Sequence, residues 1–136
     1  MARPSRYATV FDALAAGPVV EHTPAGVLIT LRVPVDAASE VLVGHYPGFP
    51  IMPGVLVLDC LRQALDSVFG SGLRPAVVER IRFLSPLLPG DELGLTIAVA
   101  GDPWSGPLAV RAQGRRADGR LAVDVRGRWE RRAADA

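Results

Sequence analysis

Apolar and polar positions alternate with period two over several short stretches of this chain and switch to a helical period over one. Gly26 to Val33 sets Val27, Ile29, Leu31 and Val33 on one face, which predicts a half-buried strand. Pro18 to His22 predicts its partner, with Thr23-Pro24-Ala25 as the connection. Four further strands are predicted at Pro75 to Leu84, Leu93 to Ala100, Leu108 to Arg116 and Leu121 to Trp129. Pro89-Gly90-Asp91 and Asp118-Gly119 are turn signals, the second that of a hairpin. Ser5 to Ala16 predicts a short helix stopped by Gly17-Pro18, and Pro34 to Glu40 reads as loop.

The long helix runs from about Pro53 to Phe69 and ends at Gly70-Ser71-Gly72. Val55, Leu56, Val57, Leu58, Leu61, Leu65, Val68 and Phe69 make it apolar on nearly all sides, so it is expected to be wrapped by other structure. Asp59, Arg62, Gln63 and Asp66 cluster within two of its turns. An ionisable group on a buried helix is costly unless it is paired or functional. Strands, one helix and then a run of antiparallel strands is an α+β order, expected to form a single domain over residues 1–136.

The stretch into that helix, GHYPGFPIMPGVLVLDCLRQA, concentrates the chemistry. Pro47, Pro50 and Pro53 hold His45 to Pro53 as a stiff, extended loop. Gly54 then opens a helix whose first N–H groups have no side-chain cap. Asp59 follows one turn inside, and Gln63 shares its face. A histidine titrates near neutral pH, a carboxyl in an apolar setting favours its protonated form, and a bare helix N-terminus favours negative charge. Together they suit proton transfer beside a developing oxyanion.

Composition narrows the field. The chain has 136 residues, 49% hydrophobic and 21% charged, with net charge +1, an ordinary globular balance. Cys60 is the single cysteine, which excludes an internal disulfide and suggests a reducing, cytoplasmic compartment. Asp12 interrupts any apolar signal-peptide core, and no apolar run is long enough to span a membrane. No His, Cys and carboxylate set has metal-ligand spacing. His22 has no partner at useful spacing, and Cys60 lacks a neighbouring base and reads as a packed thiol. All 15 basic residues are Arg, and Arg111, Arg115, Arg116, Arg120, Arg126 and Arg128 crowd the C-terminal part. Alternation puts several on one sheet face, usually a solvated edge but suited to an acidic partner. Aromatic interleaving and nucleic-acid motifs are missing, so nucleic acid is poorly supported.

The run HYPGFPIMPGVLVLDCLRQ resembles the signature of the 3-hydroxyacyl-acyl carrier protein dehydratases of FabA/FabZ type, and ERIRFLSPLLPGDEL resembles a second block of that family. Tyr46 stands where Phe is usual there, and Arg62 where a small or apolar residue is common. The resemblance implies a hot-dog fold, an antiparallel sheet wrapped around one apolar helix, and a dimer with two sites at the interface. It implies His45 as base, Asp59 of the other chain as acid, Gly54 N–H on the thioester oxygen and Gln63 holding the Asp59 carboxyl. A dry acyl tunnel against Tyr46, Phe49, Met52, Pro53, Val55 and Leu56 would keep that carboxyl protonated. No metal or organic cofactor is implied. The implied partner is an acyl carrier protein bearing a phosphopantetheine-linked acyl group, and Arg62, Arg80, Arg82, Arg115 and Arg116 are its candidate contacts. Fatty-acid, polyketide and polyene assembly all remain open. So do acyl-thioester hydrolysis on the same fold and a non-catalytic role in a heterodimeric dehydratase.

Overall fold

The computed structural model describes residues 17–35, 54–88, 90–102 and 106–131. The elements are β1 (Val19–Thr23), β2 (Gly26–Pro34), α1 (Gly54–Phe69), β3 (Leu73–Phe83), β4 (Glu92–Ala100), β5 (Leu108–Arg115) and β6 (Leu121–Arg131). The strands form one antiparallel sheet of 6, in the order β1-β2-β4-β5-β6-β3. The predicted helix over 5–16 lies outside the described residues.

Period-two alternation decides which face of the sheet is the inner one. Ile29, Leu31 and Val33 of β2, Leu93, Leu95, Ile97 and Val99 of β4, Leu108 and Val110 of β5, and Val123, Val125 and Trp129 of β6 are all buried. On them α1 lays Val57, Cys60, Leu61, Ala64 and Leu65, a stripe with helical spacing, and all join one core cluster. Burying a Leu or Ile side chain contributes about 1.5–3 kcal/mol, so this stripe is what fixes the helix on the sheet. Gly70 ends α1 with φ +78°, a left-handed conformation that suits glycine, and its N–H bonds Asp66 O at 2.9 Å. The guanidinium of Arg131, at the end of β6, donates to Phe69 O at 2.7 Å and ties the helix C-terminus to the sheet.

This is the hot-dog fold, as expected, with the antiparallel sheet laid over one apolar helix. Within one chain the sheet covers one face of α1. Leu58, Asp59, Gln63 and Asp66 are half-buried, and Arg62 and Ser67 are exposed. Among the described residues, this face of α1 is left as a partly open surface.

β3 sits at the sheet edge beside β6, and beyond Leu73 all of its residues are exposed. Val77, Val78, Ile81 and Phe83 are 40–55% exposed. A long edge strand with apolar side chains is a template for pairing with another chain.

Candidate active site

α1 begins at Gly54 and has no acidic residue in its first turn. Its first N–H groups therefore meet no carboxylate of their own helix. Asp59 lies in the second turn. Gln63 Nε2 donates to Asp59 Oδ2 at 2.8 Å, one turn on and on the same face. The other oxygen, Oδ1, accepts from Arg62 Nε at 3.0 Å and Arg62 Nη2 at 2.9 Å. Arg62 also reaches the opposite way, its Nη1 donating to Asp66 Oδ2 at 3.0 Å. Both Asp59 oxygens are thus engaged, by an amide on one side and a guanidinium on the other. The guanidinium is held above its usual range, first by its hydrogen bond to Asp59.

A groove of about 250 Å³ runs between α1 and the β3–β6 edge, with Leu58, Leu65, Leu73, Val78 and Trp129 among its walls. Arg62, Asp66 and Arg74 border it. The groove is overwhelmingly apolar and opens on the uncovered side of the helix, beside the Asp59 cluster. A larger hollow of about 340 Å³ lies on the outer sheet face, floored by Ala98, Ala100 and Ala109 and walled by Arg111, Arg126 and Arg128. Its acid, Glu79, stands 3.5 Å from Arg128 in an ion pair. The smaller groove is the better candidate for chemistry, since Arg62, which grips Asp59, borders it and does not line the larger hollow.

Cys60 is fully buried, and burial, then the Asp59 charge, pushes its thiol up to about 12. That fits a packed thiol. His22 is exposed on β1. His45, Tyr46, Phe49, Met52 and Pro53 lie outside the described residues, and of Val55 and Leu56 only the helical backbone is described.

The arginines proposed as carrier contacts fall into three places. Arg62 is on the open side of α1. Arg80 stands on the outer sheet face, 3.9 Å from the buried Asp124, with Arg82 opposite Asp124 in register. Arg115 and Arg116 are at the β5–β6 hairpin: Arg115 donates to Gly119 O, and Arg116 pairs with Asp91 at 3.4 Å. The alternation argument for β5 and β6 holds, because Arg111 and Arg126 face each other and Arg126 faces Arg80. Sequence reasoning missed the double grip of Arg62. Its signal was the spacing of three and four residues to Asp59 and Asp66, at which helical side chains meet.

A six-stranded antiparallel sheet curled over one helix defines a hot-dog protein. The chain belongs to the ApeI-like dehydratase family, whose model, described as ApeI dehydratase, matches residues 21–117. It is 32% identical over 92 residues to the 3-hydroxyacyl-acyl-carrier-protein dehydratase FabZ of Geobacter metallireducens, which covers 61% of each chain. It is 37% identical over 90 residues to the FabZ of Polynucleobacter necessarius, covering 60% of this chain and 58% of that one. The chain thus spans about three fifths of the length of these curated relatives. Among solved structures, the dehydratase heterocomplex ApeI:P from Xenorhabdus doucetiae aligns with TM-score 0.59 and 25% identity, over 84% of this chain and 98% of that one. The (R)-hydratase from A. caviae, at TM-score 0.51 and 18% identity over 71% of this chain and 74% of that one, shares the fold. So does a Thermus thermophilus thioesterase, at TM-score 0.52 and 17% identity over 63% of this chain and 74% of that one. Among the described residues no helix is long and apolar enough to cross a membrane.

Proposed function

We propose that this protein removes water from 3-hydroxyacyl thioesters carried on acyl carrier protein, yielding trans-2-enoyl thioesters. His45 takes the proton from C2, the electron pair of that bond forms the C2–C3 double bond, and the C3–O bond breaks. Asp59 gives its proton to the departing hydroxyl, which leaves as water. Charge developing on the thioester oxygen meets the Gly54 N–H at the start of α1, where the helix dipole favours an anion. The acyl chain lies in the apolar groove beside Leu58, Leu65 and Trp129.

The observation that carries this reading is the hydrogen bond from Gln63 Nε2 to Asp59 Oδ2, in the second turn of a helix with no acid in its first turn, where Arg62, the other partner of Asp59, borders the groove. It brings the Asp and the Gln of the dehydratase-like signature into contact. The open face of α1 and the bare apolar edge of β3 support a dimer, with His45 of one protomer meeting Asp59 of its partner. A heterodimer with a related chain is the second reading, favoured by the likeness to a dehydratase heterocomplex.

The test is enoyl formation, followed as absorbance of the conjugated thioester over a ladder of 3-hydroxyacyl carriers. His45→Ala should abolish the signal and leave the dimer intact. Full turnover in that variant refutes the base assignment. Release of free thiol without an enoyl signal refutes dehydration in favour of thioester hydrolysis.

A further inference from the structure

The outer face of the sheet carries a row of like charges for which the dehydratase reading has no use. In register across three strands, Arg111 of β5 faces Arg126 of β6, and Arg126 faces Arg80 of β3. Like charges directly opposite one another destabilise a sheet. Asp124 answers two of the three, standing 3.9 Å from Arg80 and 3.9 Å from Arg111. Glu79, the extra residue at a break in register between Val78 and Arg80, stands 3.5 Å from Arg128. Arg126, in the middle, has no acidic partner among the described residues. Glu21 of β1 ends the same row beyond Leu28 and Ala98, three strand spacings or about 14 Å from Arg111.

The next row of the same face is opposite in character. Gly26 of β2 faces Ala100 of β4, which faces Ala109 of β5. With Ala98, these positions carry nothing beyond a Cβ and make a flat apolar floor. The hollow over it measures about 340 Å³, at the low end for small-ligand sites, with Arg111, Arg126 and Arg128 along one wall. Thr23 stands at the other rim, but its hydroxyl is spent within its own turn, donating to Gly26 O at 3.3 Å and accepting from Gly26 N–H at 3.2 Å. The hollow is therefore apolar at one end and cationic at the other.

We propose that this hollow binds a nucleoside monophosphate, with the ring over Ala98, Ala100 and Ala109 and the phosphate on Arg111 and Arg126. A flat floor without side chains suits the face of a planar ring. Guanidinium forks suit phosphate, whose oxygens accept paired N–H bonds. A carboxylate would bring one negative charge to this wall, whereas a phosphate monoester brings about 1.5–2. An anion there also answers the repulsion that Arg126 meets from both neighbouring strands. The hollow lies across the sheet from α1, so the assignment stands or falls independently of the dehydratase reading.

The test is calorimetric titration of the full chain with AMP, adenosine and inorganic phosphate. AMP should bind saturably at one per chain, and adenosine and phosphate at least about tenfold more weakly, since each makes half of the contacts. Arg126→Gln should weaken AMP about tenfold or more, the loss of one charge-assisted contact. Ala109→Leu fills the floor and should abolish AMP binding while phosphate binds as in wild type. Arg120→Gln removes the same charge at the β5–β6 hairpin, away from the hollow, and should leave AMP binding unchanged. Without nucleotide, Arg126→Gln should unfold at a higher temperature than wild type, because a like-charge contact is relieved. Absence of AMP binding, phosphate binding as tightly as AMP, or equal losses in Arg126→Gln and Arg120→Gln would each overturn the site. So would undiminished AMP binding in Ala109→Leu, or a fall in the unfolding temperature of Arg126→Gln, which would make the arginine row a support of the fold.

Discussion

Gly127→Ala probes the seam on which the β3 edge hangs. Gly127 lies in β6 in register with Val78 of β3 and Val110 of β5. A Cβ at this position would stand 2.4 Å from Val77 O, 3.0 Å from Trp129 Cζ3 and 3.2 Å from Val78 Cα. Ordinary contact begins near 3.4 Å, so the β3 backbone must withdraw from β6 by about 1 Å. A carbonyl oxygen cannot rotate aside as a side chain can. Overpacking of this kind costs about 1–3 kcal/mol. At about 4 °C per kcal/mol for a chain of this size, the midpoint of thermal unfolding should fall by about 4–12 °C. Gly106→Ala is the control, because a Cβ there meets nothing within 4 Å. It should stay within about 0.5 kcal/mol of wild type. Urea and thermal unfolding report both, with an unchanged urea slope indicating that the native surface is the same. A Gly127→Ala protein as stable as Gly106→Ala would refute the close passage of β3 over β6.

Three other outcomes follow from two buried groups. Cys60, with its thiol pushed up to about 12, should ignore a thiol-disulfide reagent at pH 8 while folded and react at once in urea; rapid labelling of the folded chain contradicts its burial. The folded thiol keeps its proton above the unfolded value, near 8.5, so the stability this contributes is complete below that pH and is lost as pH climbs toward 12; Cys60→Ala should flatten that alkaline decline. Asp124 is 6% exposed and stands 3.9 Å from both Arg80 and Arg111, in a sheet where Arg111, Arg126 and Arg80 face one another across three strands. Asp124→Asn should cost about 1–3 kcal/mol, with part of the loss recovered in high salt, and an unaltered urea midpoint contradicts that role.

Local pattern carried the elements because their causes are local. The strand predicted over 26–33 forms over Gly26–Pro34, and that over 93–100 forms over Glu92–Ala100, since alternation of Ile29, Leu31 and Val33 against polar neighbours needs no other part of the chain. The Asp59–Gln63 pair was legible for the same reason, being a spacing of four on a helix. The strand order was not. β3 passes to the far edge beside β6, a pairing that depends on which edge is left open once the other strands have zipped together. The cap from Arg131 to Phe69 O spans 62 positions and has no local sign. The strand predicted over 75–84 forms over Leu73–Phe83, and its Val77, Val78 and Ile81 are 40–49% exposed, which the sequence pattern did not signal.

A shared site between two protomers is the claim most open to direct test. Equal amounts of His45→Ala and Asp59→Asn chains, unfolded and refolded together, should form mixed dimers in about half of all pairings. Each mixed dimer then holds one site with an intact His45 and an intact Asp59 drawn from different chains. Enoyl formation should return to about a quarter of the wild-type rate per chain, while either variant alone stays inactive. A mixture as inactive as its components would show that each site draws both groups from one chain, or that Asp59 and His45 do not act together at all.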